Sequence, residues 1–232
     1  MNINEFQNEL IKININLSAY QLKQFQQYAE FIIEYNKKIN LTSITDIEEI
    51  YAKHFYDCLI PFKGLHFKKD NLLADIGSGA GFPGIVLKIA FPELNITLIE
   101  PTLKRCIFLN ETITLLKLDK IEVLNKRAED LNNLRGHFDY VTARAVAGLN
   151  VLSELCAPLL KVGGHFIILR GKDGLNELKQ ATTAFNTLNL KQMKVDIINY
   201  NDNTRVNSIY RLEKSVSSKY PRNYSIIKRK PL

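Results

Sequence analysis

The chain has 232 residues, of which 46% are hydrophobic and 24% charged, as is typical of a soluble globular protein. It has no run of about 20 apolar residues and no basic start followed by an apolar core. The sequence therefore predicts neither a membrane span nor a secretory signal, and we expect a cytoplasmic protein. Lysine and arginine outnumber aspartate and glutamate by 31 to 24, a formal net charge of +7 that suits a polyanionic partner.

The cysteines are odd in number and lie far apart along the chain, which argues against a disulfide framework. They also lack the C-x-x-C spacing of a zinc site, and the four histidines show no paired metal spacing. We therefore expect buried free thiols and no bound metal. The cysteines are Cys58, Cys106 and Cys156.

The first 65 residues predict a helical extension that packs on the rest of the chain. Ser18 and Gln21 form a capping-box start, and apolar residues then recur on one face up to about Lys38. A second helix is predicted from Asp46 to about Leu59. Residues 66–232 have a different pattern and predict a separate catalytic domain.

From Asn71 onward, strand and helix patterns alternate, which indicates an α/β fold built on a doubly wound, mostly parallel sheet. Two further strands, 190–199 and 205–212, are predicted to close the sheet as an antiparallel pair across 201–203. The sheet then has roughly seven strands. The other predicted strands lie near 72–75, 95–100, 121–124, 138–143 and 165–170, and the helices near 84–91, 103–117, 149–160 and 174–188.

The most informative motif is a glycine turn that follows the strand at Leu72–Ala74. Its glycines, Gly77, Gly79 and Gly81, alternate and leave a bare backbone that a ligand can approach closely. Asp75 stands two residues ahead of the first glycine. A nucleotide-type ligand is therefore expected at this turn.

Two ligand classes compete for this turn. The segment 79–84 matches the dinucleotide pattern G-x-G-x-x-G, but Asp75 would repel the pyrophosphate of a dinucleotide. S-adenosylmethionine carries an ammonium group instead, and its ribose suits the acid Glu100 at the end of the second strand, about 20 residues past the turn. The two acids favour S-adenosylmethionine, and the dinucleotide stays the alternative.

In a doubly wound sheet, ligands bind beyond the carboxyl ends of the strands. Ala128 and Glu129 follow the third strand, where a backbone amide and a carboxylate can meet an adenine. Favourable acids at a helix start explain the same residues nearly as well. Arg144 and Lys172 follow the next two strands.

The chain ends in a basic segment, residues 214–232, with six basic side chains and no acid. Tyr220 and Tyr224 are interleaved with them. Such a strip can grip phosphates and stack unpaired bases, although a solvated basic tail would have the same composition. We expect phosphate contacts from Arg105, Lys172, Lys219 and Arg222.

Four separated blocks of the chain resemble one known family, the RsmG (glucose-inhibited division protein B) methyltransferases of bacterial 16S ribosomal RNA. The blocks are residues 36–42 with 54–57, 75–84, 144–145, and 216–222 with 230–232. The resemblance covers nearly the whole chain. It departs from the family pattern at Tyr35, at Ala143 and after Arg222.

The resemblance implies a Rossmann-like class I S-adenosylmethionine-dependent methyltransferase that modifies guanine N7 in a conserved loop of 16S ribosomal RNA. Its partner would be that RNA or the small ribosomal subunit, and we expect a monomer. The cofactor contacts that the resemblance implies are Gly77, Phe82, Ala128, Glu129 and Arg144, in addition to Asp75, Gly79, Gly81 and Glu100.

Arg144 is the candidate catalytic residue. An arginine that donated to N7 would occupy the reacting lone pair, so the hypothesis is a contact to O6, to a phosphate or to the cofactor carboxylate. Two other functions stay open at this stage. They are a methyltransferase for another RNA or small molecule, and a non-enzymatic RNA-binding module for ribosome assembly.

Overall fold

The computed structural model describes residues 1–144, 147–200 and 203–232. They divide into two compact units, which we call unit 1 and unit 2. Unit 1 comprises residues 1–71 and 78–125, and unit 2 comprises residues 72–77 and 126–232. This division differs from the predicted boundary at residue 65, because the helical extension groups with residues 78–125.

The predicted helices are present, several of them as shorter segments, and two helices that were not predicted lie at Ile3–Lys12 and Tyr224–Arg229. The two predicted N-terminal helices begin with side-chain caps, at Ser18 with its full capping box and at Asp46. The second contains a π-helical turn, Tyr51–Tyr56. The helices are α1 Ile3–Lys12, α2 Ala19–Asn36, α3 Ile47–Ile50, α4 Asp57–Leu59, α5 Gly84–Ala90, α6 Leu103–Leu115, α7 Leu149–Cys156, α8 Gly174–Gln180, α9 Thr182–Thr187 and α10 Tyr224–Arg229.

Two predicted helices end early or break. The predicted helix 149–160 stops at Cys156, and residues 157–159 form a 3-10 turn that contains Pro158. Proline has no amide donor and clashes with the preceding turn, so an α-helix ends there. The predicted helix 174–188 is divided into α8 and α9 at Ala181.

The strands form one sheet of seven, in the order β3-β2-β1-β4-β5-β7-β6, which confirms the predicted fold class. The pairs β2–β3, β1–β4 and β4–β5 are parallel, whereas β7 pairs antiparallel with β5 and β6. The predicted turn residues Asn201 and Asp202 lie outside the described residues. The strands are β1 Leu72–Ile76, β2 Asn95–Ile99, β3 Ile121–Leu124, β4 Phe138–Arg144, β5 Leu160–Arg170, β6 Leu190–Tyr200 and β7 Asn203–Leu212.

Strand β5 begins five residues earlier than the predicted start at residue 165. The extra length includes Gly163 and Gly164, and the β4–β5 register shifts at this point. A Cβ atom on Gly164 would lie 3.0 Å from the Asp139 carbonyl oxygen. The glycine pair is therefore an irregularity within the strand, and the sequence pattern had placed the strand start after it.

In unit 1, the helical extension packs directly on α5, which follows the glycine turn, and on α6. Helix α2 contacts both α5 and α6, and α4 also contacts α5. Aromatic rings fill the centre of the extension, where Phe6 and Phe25 lie 5.1 Å apart between ring centroids, and both side chains are fully buried. The extension and the residues 78–125 therefore share one core.

Candidate active site and its family

The glycines of the predicted turn have a backbone conformation that favours glycine. Gly77, Gly79 and Gly81 have φ angles of 70°, 58° and 88°, a left-handed region that residues with a Cβ atom rarely adopt. Helix α5 begins at Gly84, directly after Pro83. Gly84 thus lies at the helix start, where the sequence predicted a helix over 84–91.

Gly81 has a second reason to be glycine. A Cβ atom at this position would lie 2.6 Å from the Tyr28 hydroxyl oxygen and 2.7 Å from the Ile85 side chain. The Tyr28 hydroxyl donates a hydrogen bond to the carbonyl oxygen of Ala80, the residue before. The third glycine is therefore required by the packing of α2 against the turn, whatever a ligand requires.

Glu100 follows β2 and connects that strand to the turn within unit 1. Its side chain is 2% exposed, and its Oε2 accepts a hydrogen bond from the Gly79 amide at 3.0 Å. Its Oε1 accepts from the Thr102 amide at 2.8 Å. A carboxylate has about four acceptor positions, so both oxygens retain capacity for a ligand hydroxyl.

Phe82, which the resemblance implies as a cofactor contact, is held by the helical extension. Its ring stacks on the His54 imidazole, with centroids 4.4 Å apart and planes at 27°. The His54 Nε2 lies 2.8 Å from the Thr42 hydroxyl oxygen. The Asn36 Oδ1 in turn accepts from the Thr42 amide at 3.1 Å. Both parts of the N-terminal block of the resemblance, 36–42 and 54–57, therefore support Phe82, which residue chemistry alone did not predict.

In unit 2, Asp75 and Arg144 lie on the paired strands β1 and β4. Asp75 is fully buried and opposite Thr142 in the register. Ile76 pairs with Ala143, so Arg144 at the end of β4 is level with the end of β1. Arg144 is partly exposed. The strand ends thus bring the catalytic candidate to the edge of the sheet where ligands of this fold bind.

The predicted adenine step forms a 3-10 turn, Ala128–Asp130, in unit 2. Ala128 is 8% exposed, and the Glu129 side chain is mostly buried, with its Oε1 3.8 Å from an Arg127 guanidinium nitrogen. Helix α7 packs against this turn. The structure thus gives the segment a fixed backbone and an acceptor side chain.

The four predicted phosphate contacts have different environments. Lys172 and Lys219 are exposed, and the Lys219 ammonium lies 5.1 Å from the centre of the Tyr220 ring. Arg105 is 41% exposed, and its Nη1 is 3.9 Å from the Glu100 Oε2. Arg222 is different, because its guanidinium forms two hydrogen bonds with the buried carboxylate of Glu154.

Cysteine burial agrees with the expectation from the sequence, since all three are free and buried. Burial raises the pKa of the Cys106 thiol and of the Cys156 thiol, which disfavours the thiolate.

In residues 1–144, 147–200 and 203–232, no group of three His, Cys, Asp or Glu side chains could hold a metal ion. Within the same ranges, no helix has the length and apolar character needed to cross a membrane.

Comparison with known families identifies the chain over most of its length. Residues 21–206 match the family model described as GidB, rRNA small subunit methyltransferase G. The chain belongs to this family. The matched region includes the glycine turn, Glu100, the Ala128–Asp130 turn and Arg144.

Similar proteins named ribosomal RNA small subunit methyltransferase G cover all or most of the chain. The protein of Lysinibacillus sphaericus is 40% identical over 240 residues, which is 100% of both chains. A Staphylococcus epidermidis protein is 42% identical over 236 residues, covering 100% of this chain and 99% of the relative. A Bacillus licheniformis protein is 45% identical over 81% of this chain and 80% of its own length.

Solved structures of low sequence identity share the fold. The YcgJ protein of Bacillus subtilis superimposes with a TM-score of 0.57 at 13% identity, over 70% of this chain and 100% of its own. The precorrin-6y C5,15-methyltransferase of Geobacter metallireducens does so with a TM-score of 0.55 at 14% identity, over 75% and 92%. These likenesses confirm the Rossmann-like methyltransferase fold.

Proposed function

We propose that this protein transfers a methyl group from S-adenosylmethionine to N7 of a guanine in 16S ribosomal RNA, acting in the cytoplasm as a monomer. The observation that carries the proposal is the family membership, together with relatives of about 40% identity over the full chain. The acid and glycine residues expected of a methyl-donor site are all present.

The residues fit S-adenosylmethionine. The left-handed glycines give a turn whose ligand-facing surface is backbone, and Gly77 and Gly79 are partly exposed. Glu100 is fixed by two backbone amides and keeps acceptor capacity for ribose hydroxyls. We assign the cofactor contacts to Asp75, Gly77, Gly79, Gly81, Phe82, Glu100, Ala128, Glu129 and Arg144. Bound S-adenosylmethionine would supply a methyl group activated by a positive sulfonium.

The chain needs no general base for this reaction. Guanine N7 carries a free lone pair at neutral pH, so no proton has to leave before the bond forms. The protein's contribution is then to hold the guanine in line with the methyl group. Proximity of this kind can lower the activation barrier by roughly 7–11 kcal/mol in favourable cases. Arg144, level with the end of β1, is our candidate for holding the guanine through O6 or a phosphate.

Paired RNA hides N7 in a deep and narrow groove that side chains cannot enter. The target guanine is therefore expected in a loop, or turned out of its stack. Exposed lysines can hold the surrounding phosphates, and we assign this role to Lys172 and Lys219, with Arg105 beside Glu100. The Glu154 ion pair argues against the same role for Arg222.

The direct test uses labelled S-adenosylmethionine and small ribosomal subunits that lack the modification, followed by mapping of the methylated base. Label on guanine N7 is the expected result, and label on an exocyclic amine, a ribose or a protein would refute the proposal. Arg144→Lys keeps the charge but loses the planar fork. We expect it to lower turnover at saturating RNA and cofactor, and full turnover would remove Arg144 from the mechanism.

A further inference from the structure

The basic C-terminal segment, residues 214–232, is docked on unit 2 through its backbone. Arg135 donates to three of its carbonyl oxygens, to Tyr220 at 2.5 Å, to Ser217 at 2.8 Å and to Val216. The Tyr220 side chain and the Ile227 side chain are buried. One guanidinium thus organises the backbone from Val216 to Tyr220, and the segment is not a solvated tail.

An ion pair with Glu154 fixes Arg222, two residues beyond Tyr220. Glu154 lies on α7, and its side chain has no exposed surface. Its Oε1 accepts from both the backbone amide and the Nε of Arg222 at 2.8 Å, and its Oε2 accepts from Nη2 at 2.6 Å. Such a bidentate pair fixes the orientation of both groups. Removing Arg222 would leave the buried charge of Glu154 without this partner.

The docked segment lies beside the predicted adenine turn at two positions. Pro221, between Tyr220 and Arg222, lines a small cavity together with Ala128 and with Leu155 of α7. The Tyr224 ring lies 5.8 Å from the central guanidinium carbon of Arg127. Pro221 therefore lies beside Ala128, and Tyr224 lies beside Arg127.

We propose that the Glu154–Arg222 pair is a latch that positions the Arg127–Glu129 turn, so that docking of the C-terminal segment determines affinity for S-adenosylmethionine. Arg222 is then a positioning residue and not a phosphate contact. The inference rests on the proposed function, which assigns Ala128 and Glu129 to the cofactor. Coupling of this kind is reciprocal, so bound S-adenosylmethionine would also stabilise the docked segment that carries Lys219.

A phosphate contact and a latch respond differently to loss of Glu154. If Arg222 bound phosphate, Glu154→Gln would release its charge and strengthen RNA binding. If the Glu154–Arg222 pair is a latch, Glu154→Gln and Arg222→Ala both weaken binding of S-adenosylmethionine. Arg222→Lys separates the two roles again, because lysine keeps the charge that a phosphate needs but cannot form the two-pronged contact.

The experiment is calorimetry of the full chain with S-adenosylmethionine, without RNA. We expect affinity to fall by about tenfold, within the usual range of coupling between sites, in Arg222→Ala, Arg222→Lys and Glu154→Gln. The double variant should be no weaker than either single one. Arg229→Ala is the matched control, an exposed arginine of the same segment, and its affinity should equal that of the wild type.

Unchanged affinity in Arg222→Ala and Arg222→Lys would overturn the latch. A fall in the salt slope of RNA binding by about one unit in Arg222→Ala alone would make Arg222 a phosphate contact. If the wild type itself bound no S-adenosylmethionine, the proposed function would fail instead. Hydrogen exchange of the apo protein still tests the latch in that case, because residues 127–130 should exchange faster in Glu154→Gln than in Arg229→Ala, and equal rates would refute it.

Discussion

Gly81→Ala isolates the packing of the glycine turn against the helical extension. The φ of +88° places the new residue in the left-handed region, at a cost of about 1–2 kcal/mol. The added Cβ would also lie 2.6 Å from the Tyr28 hydroxyl oxygen and 2.7 Å from Ile85. Overpacking of this kind costs about 1–3 kcal/mol, so the free energy of unfolding should fall by about 2–5 kcal/mol.

Gly64→Ala is the matched control in the same unit. Gly64 has a φ of +74°, but a Cβ atom added there would meet no other atom within 4 Å. The unfolding free energy of Gly64→Ala should therefore fall only by the cost of the left-handed backbone, about 1–2 kcal/mol. In thermal unfolding, Gly81→Ala should lower Tm by roughly 4–20 °C, since each kcal/mol corresponds to about 2–4 °C in a chain of this size.

The clash can be tested by removing its other partner. Tyr28→Phe deletes the hydroxyl oxygen that the new Cβ would meet, together with its hydrogen bond to Ala80. The double variant with Gly81→Ala should therefore lose less unfolding free energy than the sum of the two single variants. Equal losses in Gly81→Ala and Gly64→Ala, with additive behaviour in the double variant, would refute the packing argument.

Three further predictions concern single side chains. The Lys88 Nζ is buried and donates to the Pro92 and Leu94 carbonyl oxygens at 2.7 and 2.6 Å, and burial lowers the pKa of Lys88 to about 8. The pKa of Lys88 is lower in the folded than in the unfolded chain, so folding becomes more favourable as the pH rises from about 8 to 10. The unfolding free energy of the wild type should therefore rise relative to that of Lys88→Met, by up to roughly 1.4 kcal/mol per pH unit. Urea titrations measure this difference, and a difference that does not change with pH would contradict the prediction. His54→Ala removes the ring stacked on Phe82 and should weaken S-adenosylmethionine binding several-fold in calorimetry, whereas an unchanged affinity would exclude support through Phe82. Lys219→Ala should reduce the slope of log RNA affinity against log salt by about 0.7–0.9, and an unchanged slope would remove this phosphate contact.

Local patterns were sufficient to predict most of the fold and to select the residues that we propose for the cofactor site. The strands at β1 and β2, the glycine turn and the acid Glu100 each depend on residues close together in the chain, where period and spacing carry the information. The same reasoning placed the start of β5 too late, because Gly163 and Gly164 resemble a break in sequence but lie inside the strand.

Contacts between distant residues could not be predicted in this way. Arg222 and Glu154 are 68 positions apart, and a basic residue in an acid-free tail gives no sign that a carboxylate buried on α7 is its partner. The stacking of His54 on Phe82 likewise depends on how the extension packs. The resemblance to the family marked the blocks that contain His54, Phe82 and Arg222, but it did not say that two of them touch.

The burial of Cys58, Cys106 and Cys156 has a practical consequence for labelling. Thiol-directed dyes and cross-linkers react with exposed thiolates, so the folded wild-type chain should not react with them. A single cysteine at an exposed position outside the proposed contacts, such as Lys228→Cys, would then be the one reactive thiol of the folded chain. A photo-cross-linker attached there would report which nucleotides lie beside the C-terminal segment, without any need to remove the natural cysteines first.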